Sequence, residues 1–165
     1  MIYNFDSEVD ITFDFDFEKV YRDVVDAVLD YFKCPYDYEI SLLIVGDDEI
    51  RQINNDMRGI DKATDVLSFP NIDLSSDPGN FGIIDEMDDI FEPDSGELIL
   101  GDIVLSINKI IEQSNEFGHS QLREYAFLIA HSMLHLIGFD HIEESDRIEM
   151  EKYQDIIMNI LDIKR

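Results

Sequence analysis

The 165-residue chain holds one cysteine, Cys34, which excludes a disulfide framework and a cysteine-based zinc site. Nothing in Cys34-Pro35-Tyr36 lowers a thiol pKa, so Cys34 reads as an inert structural group. Positive charge is also scarce: 12 Lys and Arg face 38 Asp and Glu, for a net charge of −26. Such a surface repels nucleic acid and anionic membranes at long range. A polyanionic substrate must then meet a local basic pocket or be delivered by a partner. No apolar run approaches membrane-spanning length. The opening Met1-Ile2-Tyr3-Asn4-Phe5-Asp6 lacks the basic stretch and apolar core of a signal peptide. A soluble, cytoplasmic protein is expected. Hydrophobic residues make up 45% and aromatic residues 11%, enough for one domain over 1–165 to bury a core.

Periodicity supplies the elements. Residues 2–6 and 10–15 alternate apolar with polar and read as extended. Phe17, Val20, Tyr21, Val24, Val25, Val28, Leu29 and Phe32 recur at helical spacing. A strand is expected over 38–45, followed by a helix over 49–56 capped by Asp47 or Asp48. Short strands are expected over 66–69 and 97–103, then helices over 104–117, 120–137 and 143–162. Early strands mixed with helices, then a run of helices, predict an α+β fold: a small mixed sheet covered by helices. Residues 71–96 contain no Lys or Arg and a cluster of acids (Asp85, Glu86, Asp88, Asp89). They read as a solvated acidic insertion loop with a short strand at 81–84; a docking loop for a basic partner is the sharper alternative.

Chemistry concentrates in His131-Ser132-Met133-Leu134-His135-Leu136-Ile137-Gly138-Phe139-Asp140-His141. His131 and His135, four apart in a helical segment, stack their rings on one face one turn apart. Gly138 sits where the helix would stop and can take the left-handed conformation that reverses the chain. That reversal can swing His141 back as a third ligand, placing a metal site at the end of the helix and in the turn after it. Three imidazoles leave one tetrahedral position of a zinc ion open, which is the catalytic arrangement. Nickel, copper and iron also suit three histidines, so spacing leaves the metal's identity open. His119, between Gly118 and Ser120, reads as an exposed linker residue. The ligand spacing matches that of metzincin proteases, but the residue after the first ligand is Ser132 where those enzymes carry a glutamate base. A serine hydroxyl cannot take a proton from water at neutral pH, which argues against peptide hydrolysis.

The histidine block resembles the signature of the YbeY family of metal-dependent endoribonucleases. So do the stretch from Asn54 to Pro70 (Asn-Asn-Asp-Met-Arg-Gly-Ile-Asp-Lys-Ala-Thr-Asp-Val-Leu-Ser-Phe-Pro) and Leu100-Gly101-Asp102-Ile103-Val104. The likeness runs from about residue 38 to 160; the first 36 residues match only in general pattern, and the acidic insertion lies outside it. The family generally has Gly in place of Ser132 and Tyr in place of Phe139. The resemblance implies an α+β fold with one Zn2+ per chain on His131, His135 and His141. It also implies hydrolysis of single-stranded RNA, in maturation of the small-subunit ribosomal RNA 3′ end and in late ribosome quality control. The partners so implied are ribosomal RNA and the small ribosomal subunit with its proteins, not DNA or membrane.

Phosphodiester cleavage needs positive charge where the reacting phosphate gains negative charge. Arg58 is the candidate catalytic residue, since a guanidinium grips two phosphate oxygens at once; an isolated arginine read without the resemblance is a surface ion pair. Arg51, Arg58 and Lys62 form the densest basic stretch in the middle of the chain. Asp140 is expected either to orient a histidine or to shape the turn, and Asp65 either to be catalytic or, the favoured reading, to start a strand. A non-catalytic, zinc-stabilised ribosome-assembly factor with an acidic docking surface is the alternative function.

Overall fold

In the computed structural model, residues 1–163 are described. Among them, β1 (Ile2–Ser7), β2 (Tyr38–Val45), β3 (Val66–Pro70) and β4 (Leu98–Ser106) form one sheet in the order β1-β2-β4-β3. The first three in that order run parallel, and β3 is antiparallel to β4. The helices are α1 (Phe17–Tyr31), α2 (Asp47–Arg58), α3 (Ile107–Phe117), α4 (Gln121–Leu136) and α5 (Glu144–Ile160). The expected α+β class is observed.

The pleat of β2 divides the interior. Tyr38, Ile40, Leu42 and Ile44 join the main core with α1, α4 and α5, because alternate strand residues point to opposite faces. Val45 turns to the other face, where Ile50 of α2, Leu67 and Val104 form a smaller cluster. Helix α4 is buried on most sides: Tyr125, Ala126, Ile129, Ala130, Met133, Leu134 and Leu136 are all fully enclosed. It is therefore the rigid element of the molecule, and it is the one that carries His131 and His135.

Four expectations needed correction. Residues 10–15 form no strand; the alternation instead packs Ile11, Phe13 and Phe15 against the main core, with Phe13 and Phe15 beside Tyr125. Helix α2 starts at Asp47 after Gly46, without a side-chain cap, since the Asp47 carboxylate accepts from Ser106 Oγ at 2.7 Å. Residues 104–106 extend β4 rather than opening α3, because Val104 and Leu105 pair with both β2 and β3; Ser106 then caps α3. The segment 71–96 is only partly solvated. Its acids at 85–89 are exposed, but Ile72, Leu74 and Phe81 are buried, Phe91 bridges Leu98, and 81–83 is a 3-10 turn rather than a strand.

That segment closes over the end of α4. Gly138 has φ +105°, and a Cβ there would lie 2.6 Å from the Leu74 backbone carbonyl. Gly79 N–H donates to Ile137 O at 2.9 Å. Only glycine fits both the conformation and the space. Gly138→Ala should therefore destabilise the protein by about 2–4 kcal/mol, read as a lower urea midpoint at unchanged slope.

Candidate metal centre and its cleft

His131 and His135 lie on adjacent turns of α4, and the reversal after it returns His141. The ring centroids are 4.6 Å (131–135), 5.1 Å (135–141) and 5.6 Å (131–141) apart. One ligand nitrogen from each ring lies within 4.8 Å of the others, so the three form a group able to hold a metal ion. Nε2 of His131 and Nε2 of His135 are 3.0 Å apart. Two nitrogens bound to one tetrahedral zinc stand about 3.3 Å apart, so the pair fits a metal with little adjustment.

Each of these half-buried rings is anchored through its other nitrogen. His135 Nδ1–H donates to Phe139 O at 3.0 Å, which leaves its Nε2 bare for a cation. His131 Nδ1 meets the side-chain amide of Gln154, on α5, at 2.5 Å. The amide can meet that nitrogen in two ways. Its N–H donates to a bare Nδ1, or, turned over, its carbonyl accepts from Nδ1–H and frees Nε2 for a metal. Gln154 is 4% exposed, so it has no competing solvent. The sequence reading missed it. Its signal was a polar side chain in the buried stripe Met150, Gln154, Ile157, Met158.

Burial, and then the neighbouring His135 and His141, pushes the His131 pKa down to about 4. Burial lowers that of His135 as well, against the Phe139 carbonyl, which raises it. Both rings are therefore neutral near pH 7, the state a metal requires.

The histidines lie on a cleft of about 780 Å³ lined also by Arg58, Asp65, Ser68, Asp73, Asp140 and Glu149. Arg58 is exposed and close enough for its charge to lower the His135 pKa. Arg51 is not part of this wall: it grips Asp61 at 2.7 and 3.2 Å. Asp140 takes the turn role, accepting from His141 N–H at 2.7 Å. Asp65 accepts from Val66 N–H at 2.8 Å and so starts β3. His119 is a correction: its side chain is 8% exposed and meets the buried Glu124 carboxylate at 2.5 Å, because the Gly118 turn folds the ring inward.

Ser132 is fully buried, with its hydroxyl 2.6 Å from that of Ser68. It ties α4 to β3 and offers no base to the cleft. At position 139 the backbone carbonyl serves His135, while the ring packs on Phe32 at 5.4 Å and Tyr153 at 5.0 Å. The metal site thus uses nothing that Phe and Tyr do not share.

The chain matches the family model described as Endoribonuclease YbeY over residues 1–162. Relatives of that name include one from Lachnoclostridium phytofermentans, 46% identical over 166 residues and covering 100% of both chains. Another, from Clostridium acetobutylicum, is 42% identical over 168 residues, again with full coverage of both. The match therefore includes residues 71–96 and the N-terminal 36, which had been expected to lie outside it or to match only in pattern. In fold, the chain is similar to a Thermotoga maritima protein of known solution structure: TM-score 0.56, 20% identity, covering 98% of this chain and 92% of that one.

Removing the Gln154 amide should loosen the metal. Gln154→Leu is expected to weaken cobalt affinity about 10- to 100-fold, by chelator competition. The metal-free protein should also lose stability in acid. An unfolded imidazole binds a proton near pH 6.5, but folded His131 does so only near pH 4. Between those values the unfolded state holds more protons, so stability falls as pH falls. Urea titrations of metal-free protein should show this decline, and it should be shallower in His131→Gln.

Proposed function

The chain belongs to the YbeY endoribonuclease family, and we propose that it cuts single-stranded RNA with one zinc ion held by His131, His135 and His141. The observation that carries this reading is three imidazoles converging on one point of a cleft whose wall presents Arg58. When bound, such an ion supplies a Lewis acid and eases deprotonation of water near neutral pH.

The residues of the chain do the rest. His135 and His131 offer neutral nitrogens from a rigid helix, each turned by a fixed partner. Arg58 is the catalytic residue on this reading. Its guanidinium can take two oxygens of the scissile phosphate and hold them against the site as negative charge builds. No carboxylate within ion-pair distance competes for it among the described residues. Asp65, Asp73, Asp140, Asp146 and Glu149 also line the cleft, so a polyanion finds only the metal position and Arg58 attractive there. That selects for a phosphate at the metal rather than for loose binding along the walls.

Within ribosomal RNA processing, the target on this reading is the 3′ end of the small-subunit RNA, reached on the small ribosomal subunit in the cytoplasm. A ribosomal partner would supply the local attraction that a chain of charge −26 lacks. The non-catalytic alternative requires a fourth protein ligand, yet the metal-capable group found among the described residues contains only the three histidines.

The test compares single-stranded and duplex RNA, with and without chelator. Wild type should cut the single strand, and chelator should stop it. His135→Ala should lose both the metal and the cutting. Arg58→Ala should keep the metal while its rate falls about 100- to 1,000-fold. Cutting that persists unchanged in chelator would end the metalloenzyme reading.

A further inference from the structure

Arg58 is shared between two clefts. Behind the histidine cleft lies a second, of about 410 Å³, lined by Asn54, Arg58, Ile60, Lys62, Ala63, Thr64, Asp65, Lys109 and Gln113. The two clefts have Arg58, Thr64 and Asp65 in common. Three of the chain's 12 basic residues therefore meet around one small hollow, in a protein where acids outnumber bases about three to one. Three other cations are already engaged by carboxylates: Lys19 by Asp23, Arg51 by Asp61, Arg147 by Glu144 and Glu151. Among the described residues, Arg58 and Lys62 have no carboxylate within 4.0 Å. Lys109 stands between Asp47 at 3.7 Å and Glu112 at 3.4 Å, loose and partly exposed pairs that a phosphate can displace at little cost.

The hollow is built rather than incidental. Asn54, 3% exposed, donates through Nδ2 to Lys62 O at 2.9 Å, pinning the loop that carries Lys62 to α2. Its Oδ1 is buried without a donor, an acceptor that a water or a hydroxyl can satisfy but a phosphodiester oxygen cannot. Lys109, on α3, lines the same hollow. Two rigid helices and one pinned loop thus hold three cations around a space fit for a phosphodiester.

We infer that this second cleft is a backbone-phosphate subsite for the RNA strand. It takes the phosphate of a nucleotide flanking the one at the histidines, with Lys62 and Lys109 as its cations and Arg58 as the bridge between the two positions. The inference rests on the RNA-cleaving reading above. It explains how a strongly acidic protein grips a polyanion at one place only: the grip is confined to a short basic step beside the metal. Binding through such a step is electrostatic and independent of base identity.

The probe is a fluorescein-labelled oligouridylate of about 12 nucleotides, long enough to cross both clefts. It carries 2′-O-methyl groups and phosphorothioate linkages, and it is titrated into metal-loaded protein while anisotropy is followed. Lys62→Ala/Lys109→Ala should bind it about tenfold more weakly than wild type, and the slope of log affinity against log salt should shrink by about 1.4, two contacts at about 0.7 each. The pair Lys62→Gln/Lys109→Gln should behave alike, with metal content and thermal midpoint equal to wild type. Unchanged affinity and slope in both pairs would overturn the subsite. Cutting of unmodified oligouridylate by wild type is read separately. If the cutting occurs but binding ignores both lysines, the subsite alone is wrong. If binding depends on the lysines but no cutting occurs, the endonuclease reading is wrong and the subsite stands.

Discussion

At Gly138 the backbone reverses with φ +105°, pressed so close to the Leu74 carbonyl that a single added carbon would lie 2.6 Å away. Three things depend on that reversal. It brings Phe139 O to His135 Nδ1, it returns His141 to the other two rings, and it seats the 71–80 segment on the end of α4 through Gly79. A helix alone would present two histidines. The turn converts the pair into a three-nitrogen site, and the buried side chains of Ile72 and Leu74 hold the turn in place. A segment whose acidic composition suggests only solvent exposure therefore forms part of the foundation of the site.

The electrostatics are divided in space. Most of the 38 acids lie on exposed positions, where water screens them. Burial keeps His131 and His135 neutral, and a divalent ion would bring the largest local charge into the cleft. Arg58 then stands between that charge and the smaller basic hollow. The overall −26 and a local appetite for phosphate do not conflict, since attraction at contact distance needs only a few unscreened cations.

Legibility in the sequence followed from how local each constraint is. The helix periods of α1 and α4, the strand over 38–45 and the metal spacing all depend on neighbours within one element, and residue types carry them openly. The features that escaped are settled by partners far along the chain. Gln154 reaches His131 from 23 residues away, and His119 turns inward to the Glu124 carboxylate, whose other oxygen accepts from Gln113. The true start of α3 depends on β4 pairing on both edges. Residues 10–15 alternate just as a strand does, but they join no ladder of the sheet, and their apolar side chains pack on the main core instead. Arg58 was legible as a candidate only through the resemblance, since an exposed arginine at a helix end is otherwise ordinary.

The three imidazoles are not held alike, and this difference orders their roles. His135 is anchored by a backbone carbonyl, which no substitution at position 139 can remove while the turn survives. His131 is anchored by a side chain, Gln154, whose amide can serve either tautomer of the ring. His141 is exposed and is positioned by the turn itself, with Asp140 bonding its backbone rather than its ring. The first ring is thus a fixed donor, the second an adjustable one, and the third the ring most open to solvent. A cation in the cleft would be held by the two half-buried nitrogens of His131 and His135 together with the exposed ring of His141.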